Sequence, residues 1–280
     1  MSHVPAIHDS ADRPLTPAGD AIISLRSVSK SFGSLHVLRN LNLDIHRGQT
    51  TVILGPSGTG KSVLLKHIVG LLRPDSGEVW FEGRRVDHLP ERDFVQVRTK
   101  FGFLFQMGAL FDSMTVGQNV MFPLTEHTNM SLDEQRQRCR EVLSLVRLEG
   151  TESKMPAELS GGQRKRIALA RAIALHPQVV LYDEPTTGLD PIRADDINEL
   201  ILTLQSRLKV TSIVVTHDMH SANRVADRIV MLYDGRTIFD GNPQDIHRSD
   251  DPIVQGFVEG RSQLRDTDST LSKPPTPPSA

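Results

Sequence analysis

Apolar and polar positions change period several times along this chain, and each change marks an element. Over residues 22–32 they alternate, as in a strand with one buried face. A second strand is predicted over 36–45, with Gly33-Ser34 as the turn. Thr51-Val52-Ile53-Leu54 is a continuous apolar run, the pattern of a strand covered on both faces. Residues 63–69 read as a helix and 73–77 as a turn. Residues 78–81 and 85–86 then form a hairpin, and 93–98 a short helix. Phe101-Gly102-Phe103-Leu104-Phe105 is a buried strand ending at Gln106.

After Gln106 the character changes. Met107-Gly108-Ala109-Leu110-Phe111 is an apolar loop, and 116–175 is mostly helical. Ser131-Leu132-Asp133-Glu134 is a capping box that starts an amphipathic helix with Val142, Leu143, Leu145 and Val146. Leu159-Ser160-Gly161-Gly162-Gln163 opens another helix over 164–175, with Ser160 as the natural N-cap. Strand character returns at 179–184, ending in Asp183-Glu184. A turn at 185–190, a helix over 192–208 and a buried strand over 211–216 ending at His217 follow. Residues 228–240 form a hairpin turning at Asp234-Gly235, and 243–248 and 252–258 are short helices. Strands alternating with helices predict an α/β fold with a parallel sheet. Residues 107–175 form a helical subdomain inserted in that core. Residues 1–20 read as a loose arm and 261–280, rich in proline and without aromatic residues, as a disordered tail.

Gly55-Pro56-Ser57-Gly58-Thr59-Gly60-Lys61-Ser62 stands between the apolar strand and its helix and fits the phosphate-binding P-loop. Its glycines let the backbone curl around an anion, and the N–H groups and positive end of the next helix face the phosphates. Lys61 would reach the β- and γ-phosphates, and Ser62 would place its hydroxyl on Mg²⁺. Val63 has only its backbone N–H to offer an α-phosphate. An apolar strand beside a P-loop strand puts its terminal carboxylate, Asp183, near that ion, and Glu184 is placed to orient a water. His217 ends the next strand, where ligands of parallel sheets bind. Ser160-Gly161-Gly162 at a helix start is a second small anion site. Phe32 reads either as an adenine-stacking ring or as a core or edge residue. Arg164, Lys165 and Arg166 read as a solvated face.

Composition narrows the classes. Apolar residues make up 38% of 280, enough for a core, and the formal charge of −2 gives no bulk attraction to nucleic acid or anionic lipid. One cysteine, Cys139, excludes an internal disulfide, fits a reducing compartment and is expected on a helix flank. No apolar run spans a bilayer and the N-terminus has no signal-peptide pattern. Work at a membrane would therefore need another chain.

Taken in order, these motifs resemble the ATP-binding subunits of ABC transporters over residues 21–247. The P-loop, Gln106 as the Q-loop, the Leu159–Gln163 signature, Asp183-Glu184 at the end of the Walker B strand and His217 as the switch carry the resemblance, with Gly188-Leu189-Asp190 as the D-loop. Within that family the chain is similar to the ATPases of Mla/Mce-type lipid transporters. The similarity lies in 103–116, 182–192 and the end over 249–260, which belongs to a C-terminal helical extension at 248–260. The signature ends in Gln163, as in ABC ATPases generally, where the Mla/Mce group often has Met.

The resemblance implies a P-loop NTPase core with an antiparallel β subdomain and the helical insert. It implies ATP and Mg²⁺ as ligands, the ion held by Ser62, Gln106 and Asp183. Lys61, Gln106, Glu184 and His217 would carry the chemistry. Phe32, residues 55–63 and, from the facing copy, Ser160, Gly161, Gly162, Gln163 and Asp190 would hold the nucleotide. A head-to-tail dimer is implied, together with an integral-membrane permease, an Mce-type lipid-binding protein, no nucleic acid, and a place on the cytoplasmic face of the inner membrane. The loop 107–111 reads either as part of a docking groove for the permease or as packing within the helical insert. An amino-acid or small-solute importer remains the alternative cargo reading. A non-transport ABC ATPase is disfavoured by the single cysteine, the absence of sustained heptads and the single ATPase unit.

Overall fold

The computed structural model describes residues 20–261. The arm read over 1–20 and the tail read over 261–280 lie outside the described residues, apart from Asp20 and Arg261. Two sheets organise the chain. β1 (Ala21–Phe32), β2 (Leu35–His46), β4 (Ser76–Phe81) and β5 (Arg84–Arg85) form an antiparallel sheet in the order β2-β1-β4-β5. The second sheet has the order β10-β9-β3-β8-β7-β6. It is built from β3 (Thr50–Leu54), β6 (Phe101–Leu104), β7 (Val179–Asp183), β8 (Thr211–Val215), β9 (Arg228–Tyr233) and β10 (Arg236–Gly241). In it β6, β7, β8, β3 and β9 run parallel, and only β10 returns antiparallel through its hairpin.

The apolar runs predicted as doubly covered strands are so in fact: every residue of β3 and β8 is buried. Successive side chains serve different cores, as the twofold strand period requires. Val52, Leu54, Val180, Tyr182 and Val214 pack with the helices, whereas Ile53, Leu181, Ile213 and Val215 pack with the antiparallel sheet and α1 (Lys61–Ile68). The parallel sheet is thus the middle layer of three.

Between the adjacent strands β6 and β7 the chain inserts α3 (Val116–His127), α4 (Leu132–Leu145) and α5 (Gly161–Ile173); α2 (Glu91–Arg98) precedes β6. Each inserted helix starts with a reciprocal capping box: Thr115 with Gln118, Ser131 with Glu134, and Ser160 with Gln163. These satisfy N–H groups that a helix end otherwise leaves bare. Asp190 caps α6 (Pro191–Leu208), Asp218 caps α7 (Met219–Val225) and Asp251 caps α8 (Pro252–Val258). The helix expected over 243–248 contracts to a 3₁₀ turn at Ile246–Arg248. Among the described residues no helix is long and apolar enough to cross a membrane.

Two residues that the sequence pattern left unremarked shape the insert. Asn119, fully buried in α3, accepts from the Phe111 N–H at 2.8 Å and donates to the carbonyls of Phe111, Met114 and Thr115. It fastens the end of the apolar loop to the helix that follows. Cys139 sits in the core of the insert, 2% exposed, and not on a helix flank as expected. Burial pushes its thiol up to about 11. Iodoacetamide at pH 8 should therefore label the folded chain roughly a hundredfold more slowly than the urea-unfolded chain. Equal rates by intact mass would contradict this placement.

Candidate functional site

Parallel pairing brings the predicted residues together. β3 is flanked by β8, and β8 by β7, with Ile53 opposite Val215 and Val215 opposite Asp183. The segments that leave the carboxyl ends of these strands, and of β6 beyond β7, share one rim. They carry the P-loop, His217, Asp183-Glu184 and Gln106. A cleft of about 500 Å³ there is lined by Phe32, Val37, Lys61, Ser62, Gln106, Glu184 and His217, among others.

The loop 55–60 is built on left-handed backbone. Gly55, Gly58 and Gly60 have φ of 148°, 83° and 92°. A Cβ on Gly55 would lie 2.3 Å from the Leu232 carbonyl oxygen, and one on Gly60 would lie 2.9 Å from Val37. Around Gly58 the same test finds open space, so here the loop faces the cleft. Gly60 is also the N-cap of α1, whose first N–H groups have no partner within the helix. The Lys61 ammonium lies back on the loop, donating to the carbonyls of Gly55 at 2.7 Å and Pro56 at 2.9 Å. Burial lowers its pKa, and the charges of Glu184 and Asp183 oppose that shift. Phosphate oxygens entering the loop would replace two neutral acceptors with charged ones.

The Ser62 hydroxyl donates to Asp183 Oδ1 at 3.0 Å. Burial raises the Asp183 pKa, while the Ser62 hydrogen bond lowers it. Glu184 has a left-handed backbone, φ 50°, which is uncommon for a residue with a Cβ and concentrates at functional sites. His217 Nδ1 lies 2.9 and 3.0 Å from the two Glu184 carboxylate oxygens, and the Thr187 hydroxyl donates to Oε2 at 3.1 Å. A carboxylate only accepts, so Nδ1 carries the proton in this pair and Nε2 is left for another partner.

Phe32 is not a core residue; its exposure fits both an adenine-stacking ring and an edge residue. It ends β1 at 47% exposure on the cleft, with the Lys30 ammonium 5.6 Å from its ring centroid, and Lys30 is held by Asp75 at 2.7 Å. Leu35 and Val37 of β2 line the same cleft and had no distinguishing signal in the sequence.

The signature residues do not line this cleft. Ser160, Gly161, Gly162 and Gln163 begin α5 elsewhere on the chain. The Gln163 side chain accepts from the Ser160 N–H at 2.9 Å, so it is engaged in the capping box. The Asp190 carboxylate accepts from the Arg193 N–H at 3.1 Å. The solvated face expected at 164–166 holds for Arg164 alone, which is exposed. Arg166 pairs with Asp196 of α6 at 3.0 Å. Lys165 is buried, 7% exposed, with its ammonium on the backbone that follows Glu184. Its polar neighbours on both sides masked it.

Gly60→Ala tests the wedge between loop and β2. The strained backbone alone should cost about 1–3 kcal/mol, and with the clash at Val37 nucleotide affinity should fall at least roughly tenfold. Unchanged affinity by titration calorimetry would show that the loop tolerates a Cβ there.

Comparison with known proteins shows the family and the fold. The family described as "ABC transporter" matches residues 38–187. A probable ribonucleotide transport ATP-binding protein, mkl, of Mycobacterium leprae is 43% identical over 245 residues, 88% of this chain and 70% of the relative. The intermembrane phospholipid transport system ATP-binding protein MlaF of Haemophilus influenzae is 41% identical over 241 residues, 86% and 91% of the two chains. The dimeric structure of a post-hydrolysis state of the ATP-binding cassette MJ0796, bound to ADP and Pi, superposes with a TM-score of 0.73 at 35% identity, covering 79% of this chain and 98% of that one. With the motifs in order on the matching fold, this chain belongs to the ABC transporter family and is one of its ATP-binding, ATP-hydrolysing cassettes.

Proposed function

We propose that this cassette powers the transport of phospholipid or another lipid, bound through an integral-membrane permease at the cytoplasmic face of the inner (plasma) membrane. The cargo rests on one observation, the likeness to MlaF along 86% of this chain. The chemistry rests on the convergence of Lys61, Ser62, Asp183, Glu184 and His217 at one rim.

Mg²⁺ fits beside Ser62 and Asp183. Their oxygens are hard donors 3.0 Å apart, and Gln106 lines the same cleft. No group of three or more His, Cys, Asp and Glu side chains among the described residues forms a metal cage. That suits an ion held by one or two protein oxygens, waters and substrate phosphates. When bound, it supplies charge neutralisation at the β- and γ-phosphate oxygens.

The protein's own residues do the rest. The loop amides and Lys61 bind the phosphates, and Phe32 stacks on the adenine. Glu184, held by His217 and Thr187, orients the water that attacks the γ-phosphorus and takes its proton as the bond to the ADP oxygen breaks. His217 keeps Nε2 for the γ-phosphate. Ser160 and Gly162 sit outside their own cleft, so a second copy, head to tail, supplies them across the nucleotide. Asp190, near the start of α6, lies at the same junction.

Glu184→Gln should retain ATP binding while turnover falls about 10²–10⁴-fold, the usual loss of a general base. Normal steady-state hydrolysis would refute the assignment.

A groove of about 490 Å³ provides the link to a permease. Phe103, Phe105, Phe111 and Phe122 line it, with Val95 of α2 at its edge. Phe105 and Phe111 are 38% and 41% exposed, and Met107 nearby is 87% exposed. Leu110, by contrast, packs against the helical core, so the loop divides between docking and packing. Because the loop 107–111, which gives the groove Ala109 and Phe111, follows Gln106 directly, it would feel the nucleotide state. Val95→Asp combined with Phe111→Asp should spare ATP binding and abolish co-purification of the permease; unchanged co-purification would remove the docking assignment.

Purification of tagged Glu184→Gln in mild detergent with ATP and Mg²⁺, followed by mass spectrometry, tests the cargo. A permease with an Mce-type lipid-binding protein and phospholipid is the expected result. A permease with a solute-binding protein would favour an importer. Bound ribonucleotide beyond the two ATP sites would favour the cargo named for the mkl relative.

A further inference from the structure

Lys165 lies within the second turn of α5, the helix that the signature opens. Its Nζ is 2.7 Å from the Pro185 carbonyl oxygen, 2.7 Å from that of Thr187 and 3.5 Å from that of Glu184. An ammonium has three donors and no acceptor, and here three carbonyls of one turn converge on it. Among the described residues no carboxylate forms a salt bridge with Lys165. Burial pushes its pKa down, and only the charge of Glu184 opposes this. A cation withdrawn from water without a salt-bridge partner is costly, and solubility gives no reason to keep one.

The turn it grips is the strained one. Glu184 has φ 50°, and its N–H is tied to the Val215 carbonyl at 2.9 Å. Thr187, whose carbonyl Lys165 holds, donates its hydroxyl to the Glu184 carboxylate. One path therefore runs from the ammonium through Thr187 to the carboxylate. The same helix continues to Arg171, which donates to the Gly108 carbonyl at 3.1 Å, beside the apolar groove.

We propose that Lys165 is a positioning residue for ATP hydrolysis: it clamps the 184–187 turn to the signature helix and so sets the direction of the Glu184 carboxylate. This rests on the reading of Glu184 as the group that orients water. Since the signature start belongs to the nucleotide of the facing copy, Lys165 ties this chain's water-orienting group to the helix that meets the partner's nucleotide.

The test is a double-mutant cycle in the full-length chain, with ATPase kinetics and thermal melting on each protein. Lys165→Gln should lower kcat about tenfold or more, as loss of alignment does, while KM for ATP stays within about twofold. On the Glu184→Gln background the same change should lower kcat no further, because the group it positions is already gone. Lys165→Arg, which keeps charge and donors on a longer fork, should recover part of the kcat and serves as the readout if Lys165→Gln does not fold. Wild-type kcat in Lys165→Gln would overturn the proposal. So would an equal loss on both backgrounds, or, where Lys165→Gln does not fold, a folded Lys165→Arg that loses kcat equally with and without Glu184. Glu184→Gln with normal turnover would instead sink the reading of Glu184, whatever Lys165 does.

Discussion

The geometry of this site depends on a loop that only glycine can make. Gly55 and Gly60 are pressed against the Leu232 carbonyl and Val37, and both have positive φ. Leu232 belongs to the parallel sheet and Val37 to the antiparallel one. The loop is therefore held where the two sheets meet, and its N–H groups face the cleft without a hydrogen-bonding side chain to present them. A phosphate cradle on this plan is preorganised by backbone packing, which explains why it demands residue types so strictly.

The rim that carries these residues follows from the sheet order. Four segments far apart in sequence, after residues 54, 104, 183 and 215, become neighbours because their strands are parallel and nearly in step. Side chains at strand ends are then fixed relative to one another by ladder hydrogen bonds. The Ser62–Asp183 and His217–Glu184 contacts add the finer alignment. Lys61 and Asp183 are withdrawn from water at the base of this rim, and burial lowers the pKa of the one and raises that of the other, while His217 and Phe32 stay open to solvent.

The inserted helices give the site a reach beyond its own cleft. α5 carries the signature at its start, grips the turn after Glu184 through Lys165, braces α6 through Arg166 and meets the apolar loop through Arg171. Asn119 holds the other end of that loop. The signature, the turn after Glu184 and the apolar loop are thus joined by one helix and a handful of side chains.

Motif order and hydrophobic period alone placed most strands and helices, the P-loop, the terminal carboxylates and His217 at its strand end, because those signals are local: glycine spacing, a two-residue alternation, a cap before an apolar run. The capping box at Ser131 and the N-cap at Ser160 are of the same kind, since cap and capped N–H lie three residues apart. What only the tertiary structure decided involves partners distant in sequence. Val37 and Leu35 become cleft walls only because β2 folds over the P-loop. Cys139 moves from a helix flank to the core because α4 turns that face inward. Lys165, flanked by two arginines, looks solvated in one dimension. Its carbonyl partners lie some twenty positions away and carry no side-chain signature, so only the packing of α5 against the turn after β7 could disclose them.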